Sequence, residues 1–264
     1  MSDWLDDLEL IRDAAVAAAS LAVIERAQGL DVMTKPGGSP VTSADLAADQ
    51  MLKARLMMAR PDYGWLSEET PDTSDRLGTR RQFVVDPIDG TRAFVKEQPL
   101  WCVPIAVVED GQPVAAVVHV PSSGETYSAV RGTGASCNGQ LIGASGARRL
   151  AGARMLADHR LFTRPIWPEP WPPMDIETRS AMAYRLCLVA AGAFDAALAL
   201  RPQWDWDVCA GALIAAESGA IVSDHLGRPW SFNRADPRQS SLVCAAPELY
   251  PLIIQRTAAI ALPA

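Results

Sequence analysis

Apolar residues recur at helical spacing near the N-terminus and predict two helices. In residues 4–28, apolar side chains return every three or four positions, with charged side chains on the opposite face. This pattern is typical of a long amphipathic helix, and Gly29 would end it. A second helix is predicted from Thr42 to about residue 59, because polar capping residues open it and Pro61 follows it.

The next part of the chain is typical of an antiparallel sheet. Short apolar runs predict strands at residues 63–66 and 83–85, and then at 103–108, 114–120 and 126–130. Turn residues rich in Gly, Asp, Pro and Ser separate the last three runs, which is the signature of consecutive hairpins. The pattern therefore predicts a meander in an α+β half, which we place at residues 1–147.

Beyond about residue 147 the chain alternates between strand-like and helix-like patterns. This alternation is typical of an α/β arrangement, and we assign it to a second half at residues 148–264. The predicted strands are 153–157, 194–200 and 241–245, and the predicted helices are 178–191 and 207–218. Two segments read as loops by composition: the Gly- and Pro-rich residues 35–40, and the Pro- and Trp-rich residues 164–174.

Composition narrows the class of protein. The chain has 264 residues, 49% of them hydrophobic, with a formal net charge of −7 and a pI of about 5.0. This acidic balance argues against nucleic-acid binding, which needs clustered basic residues. The acidic N-terminus and the charges inside the apolar stretch 181–200 argue against a signal peptide and a membrane span. We therefore expect a cytoplasmic protein.

The sulfur and imidazole groups do not indicate a zinc site. Five scattered cysteines include no Cys-x-x-Cys pair, and three histidines lie far apart in the chain. Reduced, mostly buried thiols are the expected state of such cysteines in a cytosolic protein. Any metal site must therefore be built from oxygen ligands.

Acidic residues stand where predicted elements end. Glu68 and Glu69 follow a short strand, and Asp86 and Asp89 follow the strand at 83–85. Asp207 lies at the start of an Ala-rich helix. Element ends are where α/β folds place their sites, and hard divalent cations prefer carboxylate oxygens.

The turn at residues 86–91 can serve a metal and a phosphate together. Pro87 keeps Asp86 out of the helical region, so the chain must turn there and can aim the Ile88 carbonyl with the carboxylates. Gly90 allows a ligand to approach the backbone closely. Thr91 then opens a helix, whose unpaired N–H groups and positive end favour an anion.

Each of these groups alone also has an ordinary structural explanation. Asp-Pro-x-Asp-Gly is a common turn composition, and Glu68-Glu69 could be a solvated pair. Thr42-x-x-Asp45 is a plausible capping box, and Asp207 could be a helix N-cap. Their joint occurrence, each at an element end, favours a functional site.

The whole set resembles the inositol monophosphatase superfamily of magnesium-dependent, lithium-sensitive phosphomonoesterases. The segments that carry the resemblance are Val41-Thr42-Ser43-Ala44-Asp45, Ser67-Glu68-Glu69, Asp86-Pro87-Ile88-Asp89-Gly90-Thr91 and Trp206-Asp207-Val208-Cys209-Ala210-Gly211. Their order and spacing match over nearly the whole chain. The resemblance implies a layered α-β-α-β-α sandwich of the sugar-phosphatase type, two Mg²⁺ ions, and a homodimer.

The resemblance also implies the metal ligands. Glu68, Asp86 and the Ile88 carbonyl would bind a first Mg²⁺, and Asp86, Asp89 and Asp207 would bind a second. Glu68 would also hold a third, weaker ion through water. This set fits two-metal hydrolysis, in which one ion generates the nucleophile and the other stabilises the leaving oxygen.

The remaining roles concern water and phosphate. By the same resemblance, Thr91 and Asp45 orient the attacking water and help to deprotonate it, with Glu68 as the third catalytic residue. The backbone amides of Gly90 and Thr91 would receive the phosphate, with Arg92 beside them.

Resemblance to one branch indicates the substrate. Leu66-Ser67-Glu68-Glu69 and Thr91-Arg92 resemble the 3'(2'),5'-bisphosphate nucleotidase branch, although Ala93 stands where that branch usually has Glu. Inositol phosphatases usually carry an acid shortly before Trp-Asp, whereas residues 200–203 contain none and offer Arg201 for a second phosphate. Adenosine 3',5'-bisphosphate is therefore the predicted substrate.

Other functions stay open at this point. Gln98-Pro99-Leu100-Trp101 resembles the histidinol-phosphatase branch, and Trp101 could either stack on a base or pack in the core. Inositol monophosphate and fructose 1,6-bisphosphate are further candidate substrates, and a catalytically silent phosphoester-binding protein is the non-enzyme alternative. A dinucleotide-binding fold is disfavoured by the missing glycine fingerprint.

Overall fold

The computed structural model describes residues 2–262, and both predicted N-terminal helices are present. Among these residues there are seven α-helices and one 3-10 helix at Ser74–Gly78. The α-helices are α1 (Ser2–Gln28), α2 (Ser43–Ala59), α3 (Thr91–Val95), α4 (His159–Phe162), α5 (Met182–Ala190), α6 (Asp205–Glu217) and α7 (Tyr250–Thr257).

Sixteen strands alternate with these helices in the part of the chain described. They are β1 (Val32–Thr34), β2 (Pro40–Thr42), β3 (Gly64–Ser67), β4 (Arg81–Val85), β5 (Val103–Glu109), β6 (Gln112–Val120), β7 (Glu125–Val130), β8 (Ala135–Cys137), β9 (Gln140–Leu141), β10 (Arg154–Leu156), β11 (Asp175–Glu177), β12 (Ala196–Ala199), β13 (Gln203–Trp204), β14 (Ile221–Ser223), β15 (Arg238–Gln239) and β16 (Leu242–Ala245).

The strands form two large sheets and two ribbons. The first sheet runs β3-β4-β5-β6-β7-β8-β9, with β3 and β4 parallel and every later pair antiparallel. The predicted meander is therefore confirmed as β5, β6 and β7. The second sheet runs β11-β10-β12-β16-β14, with its first three strands parallel. The ribbons pair β1 with β2 and β13 with β15.

Helices cover both faces of the first sheet. The small side chains of α1, among them Ala15, Ala18 and Ala22, let it pack closely against α2 and the strands β5 to β7. A capping box starts α2, because Thr42 and Asp45 each accept the other's backbone N–H. On the opposite face α5 and α6 pack against the same sheet, so its strands are buried on both sides.

The second sheet lies beyond α5 and α6 and is covered in turn by α7. A core between these elements includes Met155, Val243 and Ile253. The order of layers is helices, sheet, helices, sheet, helix, which confirms the predicted α-β-α-β-α sandwich. The middle core joins side chains from both sides of residue 147, such as Val118 and Leu213. No helix among residues 2–262 is long and apolar enough to cross a membrane.

Several predicted boundaries were wrong, and some elements were not predicted. The helix predicted at 178–191 begins only at Met182, because Ala181 is extended (φ −69°, ψ 119°) and serves as its N-cap. The helix predicted at 207–218 starts two residues earlier, at Asp205. The short strands β8 and β9 and the helix α7 were not predicted.

Candidate active site

Parallel pairing of β3 and β4 brings the first two acidic groups together. The register places Ser67 opposite Val85, and the amide of Glu68 donates to the carbonyl of Val85 (3.3 Å). Because both strands end at the same edge, Glu68 and Asp86 emerge side by side. The separation of Glu68 and Asp86 in the sequence gave no indication that the two side chains are neighbours.

The turn after β4 is held by its own hydrogen bonds. The amide of Ile88 donates to Asp86 Oδ1 (2.9 Å), and Asp89 exchanges backbone hydrogen bonds with Cys102 (2.9 and 3.0 Å). Gly90 has φ +99°, and a Cβ there would lie 2.8 Å from the Leu100 carbonyl oxygen. Glycine is therefore required at this position both for the backbone conformation and for space.

Helix α6 brings a third carboxylate from the other half of the chain. Oxygens of Glu68, Asp86 and Asp207 all lie within 4.8 Å of one another. Burial raises the pKa of Asp86 well above its ordinary value, and repulsion from Glu68 and Asp89 raises it further. The same effects, burial first, raise the pKa of Asp207. An all-oxygen cluster of three carboxylates suits a hard divalent cation.

Asp89 lies in the same pocket but is held from another direction. Its Oδ2 accepts the backbone N–H of Ala183, in the first turn of α5, at 2.7 Å. Burial raises the pKa of Asp89 to about 7, although the amides of Ala183 and Met182 oppose the rise. Three of the four predicted carboxylate ligands thus form the tight cluster, and Asp89 stands beside them.

Thr91 and Asp45 form a second polar pair at the base of the pocket. The Thr91 hydroxyl lies 3.2 Å from Asp45 Oδ1 and 3.1 Å from the Ile88 carbonyl oxygen. Asp45 Oδ2 accepts both the amide and the hydroxyl of Thr42 (2.7 and 2.5 Å). Burial raises the pKa of Asp45. The two roles considered for Asp45, capping α2 and facing Thr91, are therefore compatible.

Lys35 was not predicted to belong to the site. It lies in the turn between β1 and β2, and its Nζ is 2.7 Å from Glu68 and 2.7 Å from Glu69. Burial raises the pKa of Glu69 to about 7, while Lys35 opposes that rise. A single lysine in a Gly- and Pro-rich loop gave no signal in the sequence beyond flexibility.

Arginines also line the pocket that contains these carboxylates, which has a volume of about 410 Å³. Arg185 is buried, donates to the Arg179 carbonyl, and has an Nε–H with no partner among residues 2–262. Burial lowers the pKa of Arg185. Arg92 and Arg201 also line the pocket. Sequence reasoning had not selected Arg185, although a charge inside the apolar stretch 181–200 was a usable signal.

Two other residues near the site have structural roles. Trp101 is 2% exposed and packs edge-on against Phe94, with ring centroids 4.8 Å apart, so packing and not base stacking is its role. Gln203 is buried and donates to the carbonyls of Arg201 and Pro202. The position that carries an acid in inositol phosphatases therefore presents no carboxylate here.

Comparison with known proteins identifies the family. The family model described as inositol monophosphatase family matches residues 4–261, almost the whole chain.

The chain belongs to the inositol monophosphatase family.

Two relatives of different named activities are similarly close. The chain is 32% identical over 248 residues to the 3'(2'),5'-bisphosphate nucleotidase CysQ of Escherichia coli (strain K12), covering 89% of this chain and 94% of that protein. It is 30% identical over 228 residues to the histidinol-phosphatase of Chlorobaculum parvum, covering 84% and 87%. Among solved structures, an IMPase from Thermotoga maritima superposes with a TM-score of 0.82 at 25% identity, covering 96% of each chain.

Membership of the inositol monophosphatase family confirms the predicted fold and enzyme class. The chain is a phosphomonoesterase, as its motif segments indicated. The family is generally metal-dependent, and the carboxylate cluster of this chain has the ligand chemistry such an enzyme needs.

Proposed function

We propose that this chain is a Mg²⁺-dependent 3'(2'),5'-bisphosphate nucleotidase that removes one phosphate from adenosine 3',5'-bisphosphate. The observation that carries the proposal is the pairing of two charge types in one pocket. Carboxylates Glu68, Asp86 and Asp207 line this pocket together with the buried Arg185 and the exposed Arg201. Such a pocket suits a ligand with two phosphates, one facing metal ions and one facing guanidinium groups.

Two Mg²⁺ ions are proposed for the carboxylate side. Glu68, Asp86 and the Ile88 carbonyl would hold the first, and Asp86, Asp89 and Asp207 the second, with a third, weaker ion near Glu68. The ligand set is entirely oxygen, as Mg²⁺ prefers. When bound, Mg²⁺ supplies Lewis-acid chemistry: it lowers the pKa of water and neutralises charge on the phosphate.

The chain's own groups position water and phosphate. The Thr91 hydroxyl has one proton and two acceptors within 3.2 Å, Asp45 Oδ1 and the Ile88 carbonyl, so its lone pairs remain free to accept from a water. Asp45 then receives the proton through Thr91, which its raised pKa favours. The backbone amides of Gly90, the N-cap of α3, and of Thr91, its first residue, would receive the phosphate.

Charge separates the candidate substrates. Arg92, Arg179, Arg185 and Arg201 all line the pocket. They would repel the ammonium group of histidinol phosphate, and they offer no acceptor for the hydroxyl groups of inositol. A second phosphate satisfies the unpartnered Arg185 Nε–H and pairs with Arg201. Inositol monophosphate or another small phosphate ester is the runner-up.

A matched pair of substrates tests the proposal. Adenosine 3',5'-bisphosphate and adenosine 3'-phosphate share the scissile ester and differ only in the second phosphate. We expect Arg201→Ala to lower kcat/KM about 10- to 100-fold for the bisphosphate, since a charge-assisted hydrogen bond contributes about 1.5–3 kcal/mol. The monophosphate should change by less than about threefold, which is under 1 kcal/mol.

Two further variants complete this test. Arg185→Lys keeps the charge but loses the fork of donors, and it should also affect the bisphosphate selectively. Arg160→Ala removes an exposed arginine that pairs with Asp158 and does not line the pocket, so it is the control. Equal losses on both substrates in the Arg201 and Arg185 variants would show that these arginines do not bind a second phosphate.

The homodimer, the cytoplasmic location and the lithium sensitivity stay predictions.

A further inference from the structure

A larger cavity lies beside the catalytic pocket, at the β13–β15 ribbon. Its volume is about 810 Å³, within the range of sites for mononucleotide-sized ligands. Trp204 on β13 lines the catalytic pocket, while its cross-strand partner Arg238 on β15 lines the cavity. The Arg238 guanidinium lies 5.3 Å from the Trp204 ring centroid. Arg201 lines both spaces and so joins them.

The cavity is positively charged although the chain as a whole is acidic. Four arginines line it against two aspartates, Asp224 and Asp236. Each aspartate already has a partner, because Arg228 lies 2.6 Å from Asp224 and Arg238 lies 2.8 Å from Asp236.

The two arginines left over are Arg201 and Arg234. Neither has a carboxylate partner anywhere in residues 2–262, and Arg234 donates only to the backbone carbonyl of Arg238. Arg201 interacts with Asp207 and Arg234 with Asp205 and Asp236 only at longer range. Both guanidinium groups therefore lack a direct ion pair, which an anion in the cavity would supply.

Neutral donors accompany these charges. Ser231 and Ser240 line the cavity with exposed side chains. Trp230 also lines it, is 8% exposed, and has a buried indole Nε1–H without a partner in the described part of the chain. A buried donor without an acceptor costs about 1–3 kcal/mol, so a ligand oxygen within reach would stabilise it. Fork-shaped guanidinium groups with hydroxyl and indole donors form a set suited to phosphate oxygens.

We propose that this cavity is an anion-binding site, separate from the carboxylate pocket, that takes a phosphate group, either free or as part of a nucleotide. The cavity shares Arg201 with the catalytic pocket, so a ligand bound there would lie close to the substrate. A phosphate held there lies next to Arg201, so the cavity takes either the distal phosphate of a long substrate or released product. Arg201 and Arg234 are its binding residues, with Arg228 and Arg238 beside them, and of these four only Arg201 also lines the catalytic pocket.

Binding without metal isolates this site from catalysis. With EDTA present, no metal ion can link the carboxylates of the catalytic pocket to an anion, whereas the arginine cavity keeps its charge. We would titrate the full-length protein by calorimetry with inorganic phosphate and, separately, with adenosine 5'-monophosphate. No turnover is required, so this test stands apart from the bisphosphate activity.

Variants decide whether the cavity binds the probe. Arg234→Ala should weaken binding at least ~10-fold, the loss of about one charge-assisted hydrogen bond. Ser240→Glu adds a negative charge to the exposed cavity wall and should weaken binding by a similar factor, which covers the case in which Arg234→Ala does not fold. Arg92→Ala removes an exposed arginine that lines only the catalytic pocket, and this variant and Arg160→Ala should bind as the natural chain does.

The outcomes are distinct. Tighter binding of adenosine 5'-monophosphate than of inorganic phosphate would identify a nucleotide as the occupant, and equal binding would identify free phosphate. The proposal is overturned by no measurable binding of either probe in EDTA. It is also overturned if binding is lost in Arg92→Ala but unchanged in Arg234→Ala and Ser240→Glu, because the probe would then occupy the catalytic pocket, which Arg92 lines.

Discussion

Replacing Asp207 by asparagine should stabilise the metal-free protein while removing its response to Mg²⁺. The three clustered carboxylates have oxygens within 4.8 Å of one another. Two unit charges at that distance repel by about 0.9 kcal/mol in water and about 3.5 kcal/mol at an effective dielectric constant of 20. Since proton uptake relieves part of this repulsion, we expect Asp207→Asn to gain about 1–3 kcal/mol in EDTA, or roughly 2–10 °C in Tm.

The pH dependence follows from the direction of the pKa shift. Burial and neighbouring carboxylates raise the folded-state pKa of Asp207 above its unfolded value. The folded chain therefore holds that proton more tightly, and stability falls as the pH rises above about 4, the ordinary aspartate value. In EDTA, the advantage of Asp207→Asn should therefore grow as the pH rises above about 4.

Thermal unfolding with and without Mg²⁺ measures both effects. The natural chain should gain about 2.7 kcal/mol at a Mg²⁺ concentration 100 times its Kd, and Asp207→Asn should gain much less. Asp205→Asn is the matched control, because Asp205 lies in the same helical turn and burial raises its pKa to about 6, yet it is outside the cluster. Its Mg²⁺-induced shift should equal that of the natural chain. A lower Tm of Asp207→Asn in EDTA, or a normal Mg²⁺ shift, would refute the repulsion account.

Three more variants test neighbouring parts of the site. Asp89→Asn should reduce turnover at least ~100-fold at saturating Mg²⁺, because it removes a charge beside the metal cluster; near-normal steady-state rates would exclude Asp89 from the site. Gly90→Ala should lower the free energy of unfolding, measured in denaturant titrations, by at least ~2 kcal/mol. Gly132→Ala should cost less, because Gly132 also has a positive φ but has open space around it. Equal losses in the two variants would contradict the crowding at Gly90. Lys35→Gln should tighten Mg²⁺ binding about fivefold in calorimetry, since about 1 kcal/mol of competition for Glu68 is removed; unchanged affinity would count against that competition.

Local patterns predicted the long elements well. The row of buried alanines in α1 and the hairpin turns between β5, β6 and β7 are properties of neighbouring residues, so they can be recognised in the sequence. The strands β8 and β9 could not be recognised, because they have only three and two residues, too few to show an alternation of apolar and polar positions. Helix α7 was missed as well, although Pro251 in its first turn is typical of a helix start.

The sequence predicted which residue types form the site, but not the distances between them. The acidic residues stood out at element ends, and the family resemblance gave them roles. Their distances depend on long-range packing: the Ala183 amide that holds Asp89 is 94 residues away in the chain. Burial of Arg185 also depends on the folded chain, since in the sequence it is one charge in an apolar stretch. Both features arise where α5 and α6 pack against the first sheet.

A phosphate-release panel tests the central claim most directly. The purified chain would be assayed on adenosine 3',5'-bisphosphate, inositol 1-phosphate, fructose 1,6-bisphosphate and histidinol phosphate, with Mg²⁺, with Mg²⁺ plus Li⁺, and with EDTA. We predict the highest kcat/KM on adenosine 3',5'-bisphosphate, inhibition by Li⁺, and loss of activity in EDTA. A higher kcat/KM on inositol 1-phosphate or histidinol phosphate, or full activity in EDTA, would contradict a metal-dependent enzyme whose arginines select a second phosphate.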